Sequence, residues 1–510
     1  MYYISTRNKS MRVRAHEAIL QGLAPDGGLF VPEHFPVLSE DDIKRLCASD
    51  YEERVTSIMS LYLDGFSRDE IAGFAAEAYG ISKFPAVHGE HTIPTTRQAP
   101  VVKVGNDYFL ELWHGPTCAF KDMALQMLPR LLKASLEKSG KSNNVLILTA
   151  TSGDTGKAAL EGFKDVERTK IMVFYPAQGV SDIQALQMDS QIGGNVHVQA
   201  VKGNFDDTQT GVKRIFTNRQ LNEELEESGW KLSSANSINW GRLLPQIVYY
   251  VSAYCDMVSG GEIKLGSPVN FCVPTGNFGN ILAAYYAKKM GIPINKLICA
   301  SNDNNILTDF IRTGRYDTNR DFYCTISPSM DILISSNLER MLFDILGEDD
   351  ATIRGYMSEL ASSGAYKISD SILHELQQIL WADFSTEDET KDDIQRIWSQ
   401  HQYLIDPHTA VAVNVNRKYI DSTKDNTPSI IVSTANPYKF CEAVLDAIGI
   451  KAASDERTYS GIGFTDLLHE VTGMPIPEPI ALLKNAEVRF YGEIEKGEMP
   501  ACVMDFAQNI

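Results

Sequence analysis

One pattern constrains this chain more than any other: a short β-branched apolar run, a turn of small polar residues, then a helical periodicity, repeated along the sequence. Val145–Leu148 runs into the turn Thr149–Gly156 and then KAALEGF. Ile171–Tyr175 leads to PAQGVSDIQALQM, and Val269–Val273 to PTGNFGN and ILAAYYAKKM. Leu297–Ala300 is followed by SNDNNILTDFI, and Ile430–Val432 by STANPYKFCEAVLDAI. Near-continuous apolar strands alternating with helices predict an α/β fold whose parallel sheet is covered on both faces. In such folds ligands bind beyond the carboxyl ends of the strands, where these polar turns fall.

At 510 residues the chain exceeds one simple core, and about 150 residues per domain suggests two to four compact units. Residues 1–95, with the Gly/Pro hinge Gly22–Pro32 and a helical stretch from Asp41 to about Tyr79, read as an N-terminal domain. Residues 96–510 then form the main region, with a helix-patterned insertion at 337–402. That insertion carries the acidic run Ser385–Asp393, read as a solvated helix start whose carboxylates favour the N-terminal dipole.

The formal charge of −19 counts against nucleic acid or an anionic membrane as a bulk partner, since both need a positive field. It leaves room for a small anionic substrate held by local donors. Eight cysteines stand singly, with no C-x-x-C pair, so neither a metal site nor a disulfide framework is expected. The N-terminus lacks an apolar segment and no window reaches 18 apolar residues, so the expected compartment is a reduced cytoplasm.

Three strand-end loops carry the candidate chemistry. Thr275–Asn280 (TGNFGN) precedes a helix, so its glycines and the free N–H groups behind them suit a phosphate; a Gly-rich turn without a ligand is the alternative. Thr151–Gly156 (TSGDTG) offers hydroxyls at Thr151, Ser152 and Thr155, while a helix N-cap by Ser152 or Asp154 would explain the same letters. In Glu111–Gln126 (ELWHGPTCAFKDMALQ), Lys121 lies between Phe120 and Asp122-Met123. Burial there would lower its pKa and free the neutral amine that a Schiff-base lysine needs, although a lone lysine is ordinarily structural. Taken together, the three loops suggest a phosphate-bearing aldehyde, pyridoxal phosphate (PLP).

HGPTCAFKDMALQ resembles the PLP-lysine motif of threonine synthases, and TATSGDTG resembles their substrate and cofactor loop. The resemblance continues through SANSINWGRLLPQIVYY at 234–250, PTGNFGN at 274–280 and SPSMDILISSNLERMLF at 327–343. DPHTAVA at 406–412, STANPYKF at 433–440, YISTRN and GLAPDGGLFVP complete a collinear match to the longer branch of that family. It implies the two-lobed PLP-dependent fold type II, similar to the tryptophan synthase β chain, with the cofactor between lobes. It implies conversion of O-phospho-L-homoserine and water to L-threonine and phosphate. A phosphothreonine lyase, a serine/threonine dehydratase and a non-catalytic homologue are the alternatives.

By the same resemblance Lys121 carries the cofactor and serves as acid and base, and Gly276, Asn277, Phe278, Gly279 and Asn280 cradle its phosphate. Thr434, or its neighbour Ser433, faces the pyridine nitrogen, and Asp154 takes the place of an Asn near the cofactor's 3′-oxygen. Ser152 and Thr155 help bind substrate, and Asn236, Ser237, Asn239 and Arg242 receive its phosphate. Arg242 suits that role on chemical grounds too, as a planar, permanent fork. Cys118, Asn436 and the segment YPAQGVS at 175–181 depart from the family's usual residues, which suggests an altered pocket wall at Cys118. A monomer or homodimer without metal is expected.

Overall fold

A computed structural model of the chain describes residues 1–85, 93, 95–151, 153–177, 180–450 and 461–508, the side chains of Phe205 and Asp206 excepted. All five apolar runs are strands, and they divide between two sheets. One sheet runs, edge to edge, through Glu493–Ile494, Val196–Val201, Thr169–Pro176, Asn144–Ala150 and Trp230–Ser234, with every pairing parallel. The other runs through Leu380–Phe384, Ile294–Ser301, Val269–Pro274, Ser429–Ser433 and Asp107–Glu111, again parallel, and ends in the antiparallel edge Val101–Val104. The central strands are buried on both faces, which is why they read as unbroken apolar runs.

The path of the chain sets the position of the site. It enters the second sheet at 101–111, leaves to build the first, and returns at Val269. The first crossing carries the segment holding Lys121. Both sheets then aim the polar turns at their strand ends toward that segment.

Residues 2–79 form the small sheet Asn8–Arg14, Tyr2–Ser5, Phe30–Pro32 and the helices Ala15–Gln21, Glu40–Cys47, Tyr51–Ser60 and Arg68–Tyr79. This segment shares its core with the rest of the chain. Tyr3 and Tyr62 pack on Trp240 at 5.2 and 5.6 Å between ring centroids. Arg54 pairs with Asp256 at 2.6 Å, both groups buried. The acidic run at 385–393 does begin a helix, Glu387–His401, capped reciprocally by Thr386 and Glu389.

Residues 337–402 are more than helical. Besides four helices they hold strands Ala365–Lys367 and Leu380–Phe384, and the second closes one edge of the six-stranded sheet. Leu380–Phe384 lies beside Ile294–Ser301, so the segment is built into its lobe. The helical reading holds for the four helices and missed this strand because LWADF is too short to show a period of two. Among the described residues no helix is long and apolar enough to cross a membrane.

Candidate active site between the lobes

Lys121 is placed by its own turn. Thr117 donates its N–H and its hydroxyl to the Asp122 carboxylate at 2.8 and 2.9 Å, folding 117–122 tightly. Gly115 is required here, since a Cβ would stand 2.6 Å from Asp122 Oδ2. Phe120 N–H donates to Thr434 O at 2.8 Å, tying the turn to the end of strand Ser429–Ser433. Lys121 therefore emerges where both sheets end, at the floor of a cavity of about 820 Å³. Its walls come from both lobes, through Thr151, Thr155 and Arg242 on one side and Gly276–Asn280, Ser329, His408 and Thr434 on the other. The N-terminal segment supplies part of the mouth, through Gln21, Leu23, Ala24, Pro25 and Gly27.

The lysine is almost wholly buried, and its Nζ donates to Ser329 Oγ at 3.0 Å and lies 3.5 Å from Asp154 Oδ2. Burial lowers its pKa to about 8, against the opposing pull of Asp154 and with help from the charges of Arg242 and Lys439. A neutral amine is thus accessible near neutral pH. Burial alone would raise the Asp154 pKa, but Lys439, Lys121 and His408 outweigh it and hold the carboxyl well below its ordinary range. Asp154 Oδ1 receives Gln184 Nε2 at 2.7 Å and Lys439 Nζ at 3.0 Å.

The loop Thr275–Asn280 opens helix Gly279–Lys289, whose first turn no side chain caps. Its leading N–H groups thus lack intrahelical acceptors and face a cavity. A Cβ at Gly276 would stand 2.7 Å from Ser329 O, so glycine is needed for that close approach, while one at Gly279 would stand 3.1 Å from Ser237 Cβ, a tight contact. Phe278 adopts φ 62°, turning the chain into the helix. Asn280 Oδ1 accepts from the hydroxyls of Tyr249 and Tyr250 at 2.6 and 2.7 Å, and its Nδ2 has no partner.

Arg242 is the other open donor. Its guanidinium is buried, gives one bond from NH1 to Ala235 O at 2.6 Å, and leaves Nε without an acceptor. Burial pushes its pKa down to about 10. A buried guanidinium without a carboxylate needs an anion to complete it. The residues present thus fit a phosphate-bearing aldehyde: an amine for the carbonyl, an uncapped helix start for one phosphate, and a buried Arg for a second anion.

The sequence-derived residues divide. Lys121, Thr155, Asn236, Ser237, Arg242, Gly276–Asn280 and Thr434 all line the cavity. Asp154 stands behind the wall in contact with Lys121. Gly153, not Asp154, is the N-cap of helix Asp154–Phe163. Thr434 and Ser433 also separate, because the Ser433 hydroxyl is occupied by Trp113 Nε1 at 2.9 Å and Thr409 Oγ1 at 3.1 Å.

Asn239 does not reach the cavity. Its Oδ1 caps helix Trp240–Ser259 by accepting Gly241 N–H at 2.9 Å, and its Nδ2 donates to Ile19 O at 3.0 Å. An Asn just before a long apolar helix is an N-cap signal, which here outranks the ligand reading. Cys118 does not form pocket wall either: it is buried behind the lysine turn at φ 58°. Asn436 is likewise buried and accepts Tyr438 N–H at 3.0 Å. Ser152, and Gln178-Gly179 of the 175–181 segment, lie outside the described residues.

Sequence reasoning missed Ser329, His408, Lys439 and Gln184. Ser329 N–H donates to His408 Nε2 at 3.1 Å, fixing the loop beside Lys121. Asp331 anchors that loop through Thr325, Asn302 and Asn304. Ser329 and His408 sat inside the stretches 327–343 and 406–412 among other polar residues such as Ser327, Asp331, Asp406 and Thr409, so polarity alone did not single them out.

The description "Threonine synthase N terminus" matches residues 2–79, and "Threonine synthase, C-terminal" matches 409–485. The chain is 44% identical over 498 residues to the human protein named threonine synthase-like 1, covering 96% of this chain and 64% of that protein. It thus spans less than two thirds of that relative's length. Threonine synthase of Pseudomonas aeruginosa is 38% identical over 449 residues, covering 87% of this chain and 90% of the relative. The crystal structure of PLP-bound threonine synthase from Brucella melitensis superposes with a TM-score of 0.85 at 35% identity, covering both chains fully. The two-lobed fold is that of PLP-dependent fold type II enzymes. By sequence and by fold, this chain belongs to the threonine synthase family.

Proposed function

We propose that the chain is a PLP-dependent enzyme converting O-phospho-L-homoserine and water to L-threonine and phosphate. The observation that carries this reading is one cavity holding a buried low-pKa lysine, an uncapped Gly-rich helix start and a second, separate anion donor at Arg242. A cofactor phosphate uses the first of these donors and leaves Arg242 for a phosphate on the substrate.

PLP, when bound, supplies an aldehyde for the substrate amine and a ring that withdraws electrons from Cα. Lys121 holds it, and the loop Gly276–Asn280 fixes its phosphate against the helix start. Thr434, which lines the cavity, would offer the ring nitrogen a neutral hydroxyl. The Lys121 amine, free of the cofactor, would take the Cα proton and carry a Cβ proton to Cγ as the γ-phosphate leaves, its neutral form favoured by burial. Arg242, with Asn236 and Ser237, grips the γ-phosphate and retains it as it departs, leaving room for water at Cβ. Gln21, Leu23, Ala24, Pro25 and Gly27 narrow the mouth and help keep bulk water out.

A sister lyase acting on a similar phosphate ester would use the same Arg242 donor, and the product separates the two. The test is an absorption spectrum of the purified protein, followed by O-phosphohomoserine with phosphate and threonine assayed. A band near about 410–420 nm, lost in Lys121→Ala, with equal phosphate and threonine, is the expected result. Phosphate with 2-oxobutanoate in place of threonine assigns the lyase. No band after adding PLP sinks the reading.

A further inference from the structure

We infer that Lys439 is a positioning residue for Lys121, acting through Asp154. By taking up the Asp154 carboxylate, it leaves the Lys121 amine free to lose its proton. The inference rests on reading Lys121 as the reactive amine, and it concerns a residue that no motif argument singled out.

The geometry begins with three acceptors around one ammonium. Lys439 is fully buried, and its Nζ reaches Thr117 O at 2.8 Å, Gln187 Oε1 at 2.9 Å and Asp154 Oδ1 at 3.0 Å. An ammonium has three donors, and all three are satisfied here. One of its acceptors belongs to the turn that presents Lys121, and another is the carboxylate beside that lysine. Lys439 therefore fixes the turn and the counter-ion together.

Asp154 is divided between two lysines. Lys439 and Gln184 converge on Oδ1, while Lys121 stands farther off, at 3.5 Å from Oδ2. Gln184 is itself pressed into place, for a Cβ on Gly153 would fall 2.4 Å from its side chain. The charges facing Lys121 are Asp154, Arg242 and Lys439, and those facing Asp154 are Lys439, Lys121 and His408. Without Lys439, Asp154 would have Lys121 as its nearest cation and would hold the proton there. An opposite charge within about 4–6 Å moves a pKa by about 1–3 units, so the loss of this competitor should be visible. It would leave about tenfold less neutral amine at neutral pH for each unit of rise.

The pair also accounts for an Asp at this position. A neutral amide would leave Lys439 buried with neutral acceptors only and no ion-pair partner in contact, at a cost of several kcal/mol by analogy with broken buried pairs, about 3–5. Asp154 and Lys439 are thus expected to tolerate replacement together better than singly.

The test needs neither cofactor nor substrate. Apo full-length protein is labelled with acetic anhydride across a pH series, and modification of the Lys121 peptide is quantified by mass spectrometry. The wild-type midpoint should lie near about 8. In Lys439→Met it should rise by about one unit or more, and in Asp154→Asn it should fall. Asp154→Asn/Lys439→Met should return toward wild type, and Lys439→Arg should leave the midpoint unchanged. An unchanged or lowered midpoint in Lys439→Met overturns the inference. Should that variant not fold, the double variant decides, and a midpoint displaced as far as in Asp154→Asn overturns it. Failure of the protein to bind PLP would end the proposed function without touching this measurement.

Discussion

Replacing Arg242 by Met should make the empty protein more stable while depriving it of anion binding. The guanidinium is 5% exposed, has a single bond to Ala235 O, and leaves Nε unpaired. Burial moves its pKa down from the ordinary arginine range to about 10. That difference corresponds to about 3 kcal/mol held against the charged form. Methionine fills similar space without a charge, but strands the Ala235 carbonyl, which returns about 1 kcal/mol. The net gain is about 2 kcal/mol. An unfolding entropy of about 2 cal/mol/K per residue gives about 1 kcal/mol/K for 510 residues, so the melting temperature should rise by about 2 °C. The assay is thermal melting of both apo proteins with and without inorganic phosphate. Wild type should gain more from phosphate than the variant, by an amount that grows with concentration and reaches about 2.7 kcal/mol at a hundred times Kd. The Gly276–Asn280 loop is common to both, so the difference isolates Arg242. A variant that melts below wild type without phosphate, or gains equally with it, would refute the reasoning.

Gly276→Ala forces a methyl to within 2.7 Å of Ser329 O, and should weaken PLP binding by about tenfold or more in a fluorescence titration; equal affinity would mean the loops are not packed as described. Asn239→Ala should lower stability to urea by about 1–2 kcal/mol through loss of its cap, with KM for the phosphorylated substrate unchanged, and a raised KM would restore it as a ligand. Arg54→Met should cost about 3–5 kcal/mol by leaving Asp256 buried and unpaired. Burial already raises the folded pKa of Asp256. Without Arg54 it rises further above the unfolded value, so the deficit should shrink as pH falls and the carboxyl takes up a proton. A pH-independent deficit in denaturation curves would show that packing, not charge, was lost.

What could be read from the sequence follows range of interaction. The five strands were legible because burial on both faces writes itself as a local apolar run, and the turn after each run carried the ligand-facing residues. The loop Thr275–Asn280 was legible for the same reason, since glycine, phosphate-facing N–H groups and the helix start are all neighbours in sequence. Leu380–Phe384 was not, because its membership of the sheet depends on Ile294–Ser301, about 80 residues earlier. Nothing in YISTRN announces that Tyr3 will pack on Trp240, or that Arg54 will meet Asp256, so the contacts joining the N-terminal segment to the rest were not legible.

The same distinction separates the lysines. Lys121 announces itself by a local motif, but its chemistry is set by partners recruited from far along the chain: Ser329 and Lys439, at separations of 208 and 318 residues by their numbering, and Asp154 on the facing lobe. Asn239 shows the converse error, in which a residue beside a true ligand in sequence points away from it in space, because a helix start claims its side chain first. A motif identifies which residue can react, whereas the pKa that lets it react at neutral pH belongs to the fold. The cavity walls hold cations at Lys121 and Arg242, with Lys439 behind; the wall carboxylate Asp331 is taken up by Thr325, Asn302 and Asn304, and Asp154, the carboxylate in contact with the reactive amine among the described residues, is taken up by Lys439. An acidic protein thus carries at its centre a site short of negative charge, which is the condition a doubly phosphorylated pair of guests would relieve.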